Sequence, residues 1–349
     1  MRPRLGFLGV GWIGRHRLEA VLQSEVAQVV AIADVAPGNA AAAVTLVPTK
    51  LVSSLDELLN QELDGVVIAT PSALHAEQAI TALERGVAVF CQKPLARTAG
   101  ETARVIEAAR RADRLLAVDL SYRFVEGAQR IRDLVGSGEL GQIYAVDLVF
   151  YNAYGPDKPW FYDPVRSGGG CVIDLGIHLA DLALWALEPS GVRKVTSHLF
   201  AKGAPLRQPT DVVEDFALAE LELSDGTIVR LACSWNLPAG CDAMIQASFF
   251  GTKGGAMLSN VDGSFYDFRA DRFRGTTREQ LCGPPDAWGG RAIVEWARQL
   301  GEGARFDPAA ERLLEVAAVI DAIYHRGAVF KQAPGLPQPA PDLAGIAAP

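Results

Sequence analysis

The sequence predicts an α/β protein in two domains: a parallel sheet wrapped by helices, then an α+β half with a large, mostly antiparallel open sheet. Three observations predict this. Over the first third, continuous apolar runs alternate with helical patterns, as strands buried on both faces do. Beyond residue 120, strand-like runs with partial period-two alternation follow one another through short turns. The length, 349 residues, suits about two domains, and 49% hydrophobic residues supply a core.

The first element is Leu5-Gly6-Phe7-Leu8, a short apolar strand that runs into Gly9-Val10-Gly11-Trp12-Ile13-Gly14 and then a helical pattern. Each glycine of this G-x-G-x-x-G has a physical task. Gly9 permits the tight turn out of the strand. Gly11 lacks a Cβ, so a pyrophosphate can approach the backbone. Gly14 lets the helix pack close to the strand. The helix start, at Trp12 and Ile13, offers free N–H groups and partial positive charge to phosphates. A second apolar run, Val29-Val30-Ala31-Ile32-Ala33, ends in Asp34, twenty residues past Gly14. An acid at that distance binds the adenosine ribose hydroxyls and repels a 2′-phosphate. The following Val35-Ala36-Pro37 offers no cation for such a phosphate, although Arg15 and Arg17 stand near the turn. The plain alternative is a glycine-rich turn with a surface Asp. Residues 1–120 are therefore expected to form a Rossmann dinucleotide-binding domain, with NAD preferred over NADP.

Further along come an Ala-rich helix, a capped short helix at Ser53–Leu59, and a buried strand at Gly65–Thr70. Pro71 precedes a helix from about Ala73 to Arg85, which Gly86 closes. Strand Val87–Phe90, helix Ala99–Ala112 and strand Leu115–Val118 complete the domain. Gln92-Lys93-Pro94 directly follows strand Val87–Phe90. Ligands of open α/β sheets collect at the carboxyl ends of strands, so Lys93 points toward the ligand region. A lysine there can hydrogen-bond a substrate oxygen and exchange a proton with it. A surface lysine in a loop is the alternative. The peptide before Pro94 is a candidate for the cis form.

The second domain is expected over residues 121–332, and residues 333–349, rich in Pro and Ala, read as a flexible tail. Strands are predicted at Ile143–Tyr151, Val195–Phe200, Phe216–Leu223, Ile228–Trp235 and Ala243–Phe250, with Asp225-Gly226 as a hairpin turn. Helices are predicted near Val172–Leu187 and from about Ala309 to His325. Ser167-Gly168-Gly169-Gly170 feeds the first of these. In it Asp174 and His178 are spaced i,i+4 and share a helical face. Such a pair can relay a proton, or be a core His satisfied by its neighbouring Asp. Upstream lies an aromatic segment, Tyr151–Tyr162. Tyr154 or Trp160 could stack on a sugar, and Asp157 or Lys158 could bind its hydroxyls; packing onto the second sheet is an equal alternative. Arg123 and Arg166 could bind a carboxylate or phosphate, or serve as salt-bridged structural residues.

The net charge of −8 argues against a nucleic-acid or anionic-membrane partner. No apolar run reaches the roughly 18 residues of a membrane-spanning helix, so none is expected. The N-terminal Met1-Arg2-Pro3-Arg4 lacks a signal-peptide cleavage site, and a cytoplasmic location is expected. The five cysteines are scattered, odd in number and without C-x-x-C, as reduced thiols are. No metal site is expected.

With these motifs in order, the chain resembles the Gfo/Idh/MocA oxidoreductases: glucose–fructose oxidoreductase, inositol dehydrogenase and rhizopine-catabolism proteins. The resemblance covers nearly the whole chain. It rests on Gly9–Gly14, Asp64–Pro71 with His75, Lys93-Pro94, Arg123-Phe124, Gly138–Gly141, the glycine triplet with Asp174 and His178, and Phe250–Gly254. It implies hydride transfer between a nicotinamide and a secondary alcohol or ketone of a sugar, cyclitol or related polyol. It also implies a C-terminal sheet that often forms an oligomer interface, hence a homodimer or homotetramer. By the same resemblance Lys93 binds and polarises the reacting oxygen, His178 is the acid/base, and Asp174 binds a substrate hydroxyl. Which of Lys93 and His178 moves the first proton stays open. Thr70, Pro71, His75 and Arg123 are implied around the cofactor. One departure is Gln92, where the family usually carries Glu. Its amide can still accept a hydrogen bond from a ribose hydroxyl, and it can also donate. Two other readings use the same fold: a dinucleotide-binding regulator without turnover, and a lyase or hydrolase that uses NAD transiently.

Overall fold

The computed structural model describes residues 2–189, 191–206 and 211–324. The expected tail at 333–349, and the end of the last helix at His325, lie outside the described residues. The first sheet contains β1 (Arg4–Leu8), β2 (Gln28–Ala33), β3 (Lys50–Val52), β4 (Gly65–Ile68), β5 (Ala88–Cys91) and β6 (Leu116–Val118). Its order is β3-β2-β1-β4-β5-β6, all parallel. Every residue of β4 and β5 is buried, which is why both read as unbroken apolar runs. Five helices cover it: α1 (Trp12–Ser24), α2 (Pro37–Val44), α3 (Leu55–Leu59), α4 (Ser72–Glu84) and α5 (Ala99–Ala112). Helix α3 starts in a capping box. The Ser54 hydroxyl accepts from Glu57 N at 3.2 Å, and the Glu57 carboxylate accepts from Ser53 N at 2.9 Å.

The second sheet has nine strands: β7 (Ile143–Asn152), β8 (Val192–Ala201), β9 (Ala204–Pro205), β10 (Phe216–Leu223), β11 (Ile228–Ser234), β12 (Ala243–Gly251), β13 (Gly255–Asn260), β14 (Phe268–Arg274) and β15 (Thr277–Cys282). The order is β15-β14-β13-β12-β7-β11-β10-β8-β9. Within this sheet, among the described residues, only β7 and β11 pair in parallel. The Asp225-Gly226 turn joins β10 to β11, with Gly226 at φ 89°. Four helices pack with this half: α6 (Glu126–Gly136), the short α7 (Pro164–Ser167), α8 (Ile177–Leu187) and, further on, α10 (Arg312–Ile323), which also lies against α5.

The chain then departs from expectation in three places. Strands β13 to β15 extend the sheet beyond the predicted set. Helix α9 (Arg291–Gly301) returns to the first sheet, where the Trp296 ring lies 5.6 Å from Phe90 and Ile293 is fully buried. The helix predicted near Val172–Leu187 is two pieces, a π-helical turn at Val172–Gly176 followed by α8. One helical stretch, Pro164–Leu187, is by length and composition alone apolar enough to cross a membrane. Its apolar window is 83% buried in the protein, which is the burial of a core helix.

Candidate active site

A cleft of about 1540 Å³ opens where the carboxyl ends of β1, β4 and β5 face the second sheet. Its first wall is the glycine turn. Gly9 sits at φ 85°, and a Cβ there would stand 2.6 Å from the Ala69 carbonyl oxygen. A Cβ on Gly14 would stand 2.2 Å from the Gly9 oxygen, so Gly14 supports the turn from beneath and does not itself line the cleft. A Cβ on Gly11 would meet only Asn39, at 3.8 Å. That open space in front of the backbone, with Trp12 and Ile13 lining the cleft behind it, fits a pyrophosphate. Asp34 also lines the cleft. Its carboxylate accepts from Val10 N and Ala36 N, both at 2.7 Å, so it fastens the glycine turn to the end of β2.

Thr70, Pro71 and His75 follow β4 along the cleft. The buried His75 ring lies 2.7 Å from the carbonyl oxygens of both Pro94 and Thr70. It thus ties the end of β4 to the Lys93-Pro94 loop, whose peptide is cis. Burial holds the His75 pKa below the ordinary range.

Lys93 reaches across to the second domain. Its Nζ donates to the Asp174 carboxylate at 2.6 Å and to the Asp174 carbonyl at 2.7 Å. The other carboxylate oxygen accepts from Trp235 Nε1 at 3.0 Å. His178 lines the cleft beside this pair, its ring centroid 4.8 Å from Tyr122. Its Nδ1 is buried and has no partner among the described residues. Burial, then the charges of Lys93 and Arg17, push the His178 pKa well below the ordinary range. The imidazole is therefore neutral at neutral pH.

This arrangement corrects the expected Asp174–His178 pair. The intervening turn is π-helical, with Ile177 N donating to the Val172 carbonyl. An i,i+4 face belongs to the α-helix, and here Asp174 turns to Lys93 and Trp235 instead. The turn is held by a residue with no local sequence signal, Glu214. Its buried carboxylate accepts from Gly170 N at 3.0 Å, Val172 N at 2.8 Å and the Tyr324 hydroxyl at 2.7 Å. A Cβ on Gly170 would lie 1.9 Å from the Glu214 carbonyl oxygen, which explains a glycine there.

Tyr154 and Trp160 line the outer part of the cleft, Trp160 stacked on Phe161 at 3.8 Å. Asn152, beside them, presents a buried Oδ1 with no partner among the described residues. Two arginines are not brought to the cleft. Arg123 donates through Nε and one terminal nitrogen to the two carboxylate oxygens of Asp181, and Arg166 is exposed outside the lining. Gln92 does line it, and donates to Asp119, which Arg17 also binds. Asp119, Tyr122 and Asn152 are cleft residues that the sequence did not single out, and Arg17, noted only for its closeness to the glycine turn, is another whose partner there it did not disclose. They come from three separate segments, which only the fold brings together.

A glycine-turned parallel sheet closed by an open α+β sheet defines a two-domain dinucleotide-binding oxidoreductase. The sequence profile described as "Oxidoreductase family, NAD-binding Rossmann fold" matches residues 4–120, and that described as "GFO/IDH/MocA C-terminal domain" matches residues 128–257. The chain belongs to the GFO/IDH/MocA oxidoreductase family. It is 32% identical to D-glucoside 3-dehydrogenase of Escherichia coli (strain K12) over 58% of this chain and 60% of that enzyme. It is 31% identical to rhizopine catabolism protein MocA of Rhizobium meliloti over 72% of this chain and 77% of MocA. The chain thus spans under two thirds of the first relative's length and more of the second's. Among solved structures, levoglucosan dehydrogenase in complex with NADH and levoglucosan shares the fold. The TM-score is 0.80 at 21% identity, covering 96% of this chain and all of that one.

Proposed function

We propose that the protein is an NAD(H)-dependent dehydrogenase acting on a secondary alcohol, or the matching ketone, of a sugar, cyclitol or related polyol. The observation that carries the reading is the convergence, in one cleft with the glycine turn, of an Asp174-held Lys93 and a neutral His178 with an unpartnered Nδ1. The bound dinucleotide supplies the hydride acceptor or donor. Neutral His178 takes the hydroxyl proton as the substrate carbon loses its hydride, and returns it in the reverse direction. The Lys93 ammonium donates to the same oxygen and stabilises negative charge developing there. Asp174, fixed by Trp235, holds Lys93 in place. Asn152 Oδ1 accepts from a substrate hydroxyl, and Trp160 and Tyr154 offer ring faces to the apolar side of a sugar.

NAD is favoured over NADP because the Asp34 carboxylate would repel a 2′-phosphate, and Val35-Ala36-Pro37 carries no cation to bind one. The relatives named above support the substrate class, since their names place them on sugars and on rhizopine catabolism. A homodimer or homotetramer through the second sheet is part of the proposal. Partly exposed Phe200, Phe216, Tyr151 and Met244 form a row across its strands. A monomer by size-exclusion chromatography with light scattering would refute it. A cytoplasmic location accords with five free thiols.

The test is NADH formation from a panel of cyclitols, aldoses and aldonic acids, by the wild type and Lys93→Ala. Turnover of one substrate class, lost in Lys93→Ala, supports the reading. Tight NADH binding with no turnover in either direction would favour a regulator or a transient-redox lyase instead.

A further inference from the structure

Asp119 stands just past the end of β6, next to the Gln92 loop at the end of β5, and is 1% exposed. Its Oδ2 accepts from both Arg17 Nε and Gln92 Nε2. Its Oδ1 is buried with no partner among the described residues. Arg17, on α1, is also buried, and its second nitrogen reaches Ser121 Oγ at 3.5 Å. Arg17, Gln92, Asp119 and Ser121 all line the cleft.

Burying an ion pair and an amide together is costly, and apolar packing would fill the same space more cheaply. Stability alone does not explain the cluster. Its geometry suggests a task. A carboxylate can only accept hydrogen bonds, so Gln92 must turn its NH₂ toward Asp119. Its Oε1 then remains as an acceptor, and no described residue donates to it. An amide that could face either way becomes a one-way acceptor on the cleft.

We propose that Asp119, anchored by Arg17, is a positioning residue that aims the Gln92 carbonyl at a donor on the nicotinamide riboside half of the bound dinucleotide. Asp119 also supplies the negative charge of this part of the cleft, in place of a charge at position 92. The proposal rests on the dinucleotide reading. It predicts that the charge can be exchanged between the two positions. Gln92→Glu alone sets two carboxylates at hydrogen-bond distance with one arginine between them. Asp119→Asn alone leaves Arg17 unpaired and the amide undirected. Gln92→Glu/Asp119→Asn restores one arginine, one carboxylate and one amide, with an acceptor again facing the cleft.

The experiment is titration of NADH by fluorescence into the full-length wild type, both single variants, the double variant and Gln92→Met, with melting temperatures recorded on the free proteins. Each single substitution is expected to weaken NADH binding by about tenfold or more. The double variant is expected to return to within about threefold of the wild type. A merely structural cluster would lower melting temperatures and leave affinity unmoved. Should Asp119→Asn fail to fold, Gln92→Met decides. It keeps the Arg17–Asp119 pair and removes the acceptor, so wild-type affinity in it overturns the proposal. A double variant as weak as the worse single also overturns it. Absence of NADH binding by the wild type overturns the dinucleotide reading itself, and the proposal with it.

Discussion

The N-terminal wall of the cleft presents mostly backbone, whereas the C-terminal wall presents side chains that hold one another. At the first wall, Gly9, Gly11 and Gly14 set the shape, and Asp34 accepts from two backbone amides. At the second, Lys93 is held by Asp174, Asp174 by Trp235, and the turn that carries Asp174 by Glu214. A backbone surface suits a ligand part that never changes, a pyrophosphate. A side-chain surface can be re-specified without altering the fold, which suits a substrate. The first wall should therefore fail through folding, and the second through chemistry.

The largest expected effect breaks the first wall. Gly14→Val would drive a side chain into the Gly9 oxygen, 2.2 Å from the Cβ position, with only backbone able to yield. A loss of at least about 3 kcal/mol is expected, read as a much lowered melting temperature or insoluble protein. Gly11→Ala sharpens the contrast, since its Cβ has 3.8 Å of clearance. It should melt like the wild type and lose about tenfold in NADH affinity, because the methyl intrudes on the pyrophosphate. Equal melting temperatures for the two variants would undo the distinction.

On the second wall the losses should fall on turnover. Lys93→Ala is expected to lower kcat by about 10²- to 10⁴-fold, with the NADH dissociation constant held within about threefold. Asp174→Asn keeps a partner for Trp235 and removes the charge facing Lys93, and about 10²-fold in kcat should go with it. His178→Phe should abolish most turnover and yet stabilise the protein by about 1 kcal/mol, because it removes a buried ring nitrogen that has no partner. Chemical denaturation of the free proteins checks this. Lower stability in His178→Phe would mean that Nδ1 is satisfied after all.

The two walls also differ in how far the sequence discloses them. The first is local. A strand, three glycines and an acid twenty residues on are contiguous enough to read, and β1 and β2 stand where they are expected, with Gly9, Gly11 and Asp34 on the cleft. The second wall is assembled from Tyr122, Asn152, Asp174 and Trp235, which only the fold brings together. The Asp174–His178 spacing misled because a π-helical turn changes which side chains share a face. Strands β14 and β15 escaped because Arg269, Asp271, Arg272, Arg278 and Glu279 pair with one another along a sheet edge, which breaks the apolar alternation. Helix α9 went unread although its pattern is regular. Ile293, Trp296, Ala297 and Leu300 recur at the helical period, and the buried face they form packs on the first sheet.

The smallest effect tests the electrostatics of both walls together. His75 belongs to the first wall and His178 to the second, and burial holds both below the ordinary imidazole pKa. An unfolded chain protonates both near pH 6.5. Below about that pH the unfolded state therefore binds more protons than the folded one, so stability is complete above the window and declines as pH falls through it. The urea midpoint of the free wild type should drop between about pH 6.5 and 5. His178→Phe removes one of the two contributions and should decline less steeply, with His75 supplying the remaining slope. A steeper decline in His178→Phe would mean that His178 already carries a proton in the folded protein, because such a group opposes the loss that His75 brings. A base that enters the reaction charged cannot accept the substrate's proton, so that result would also move the proton transfer to Lys93.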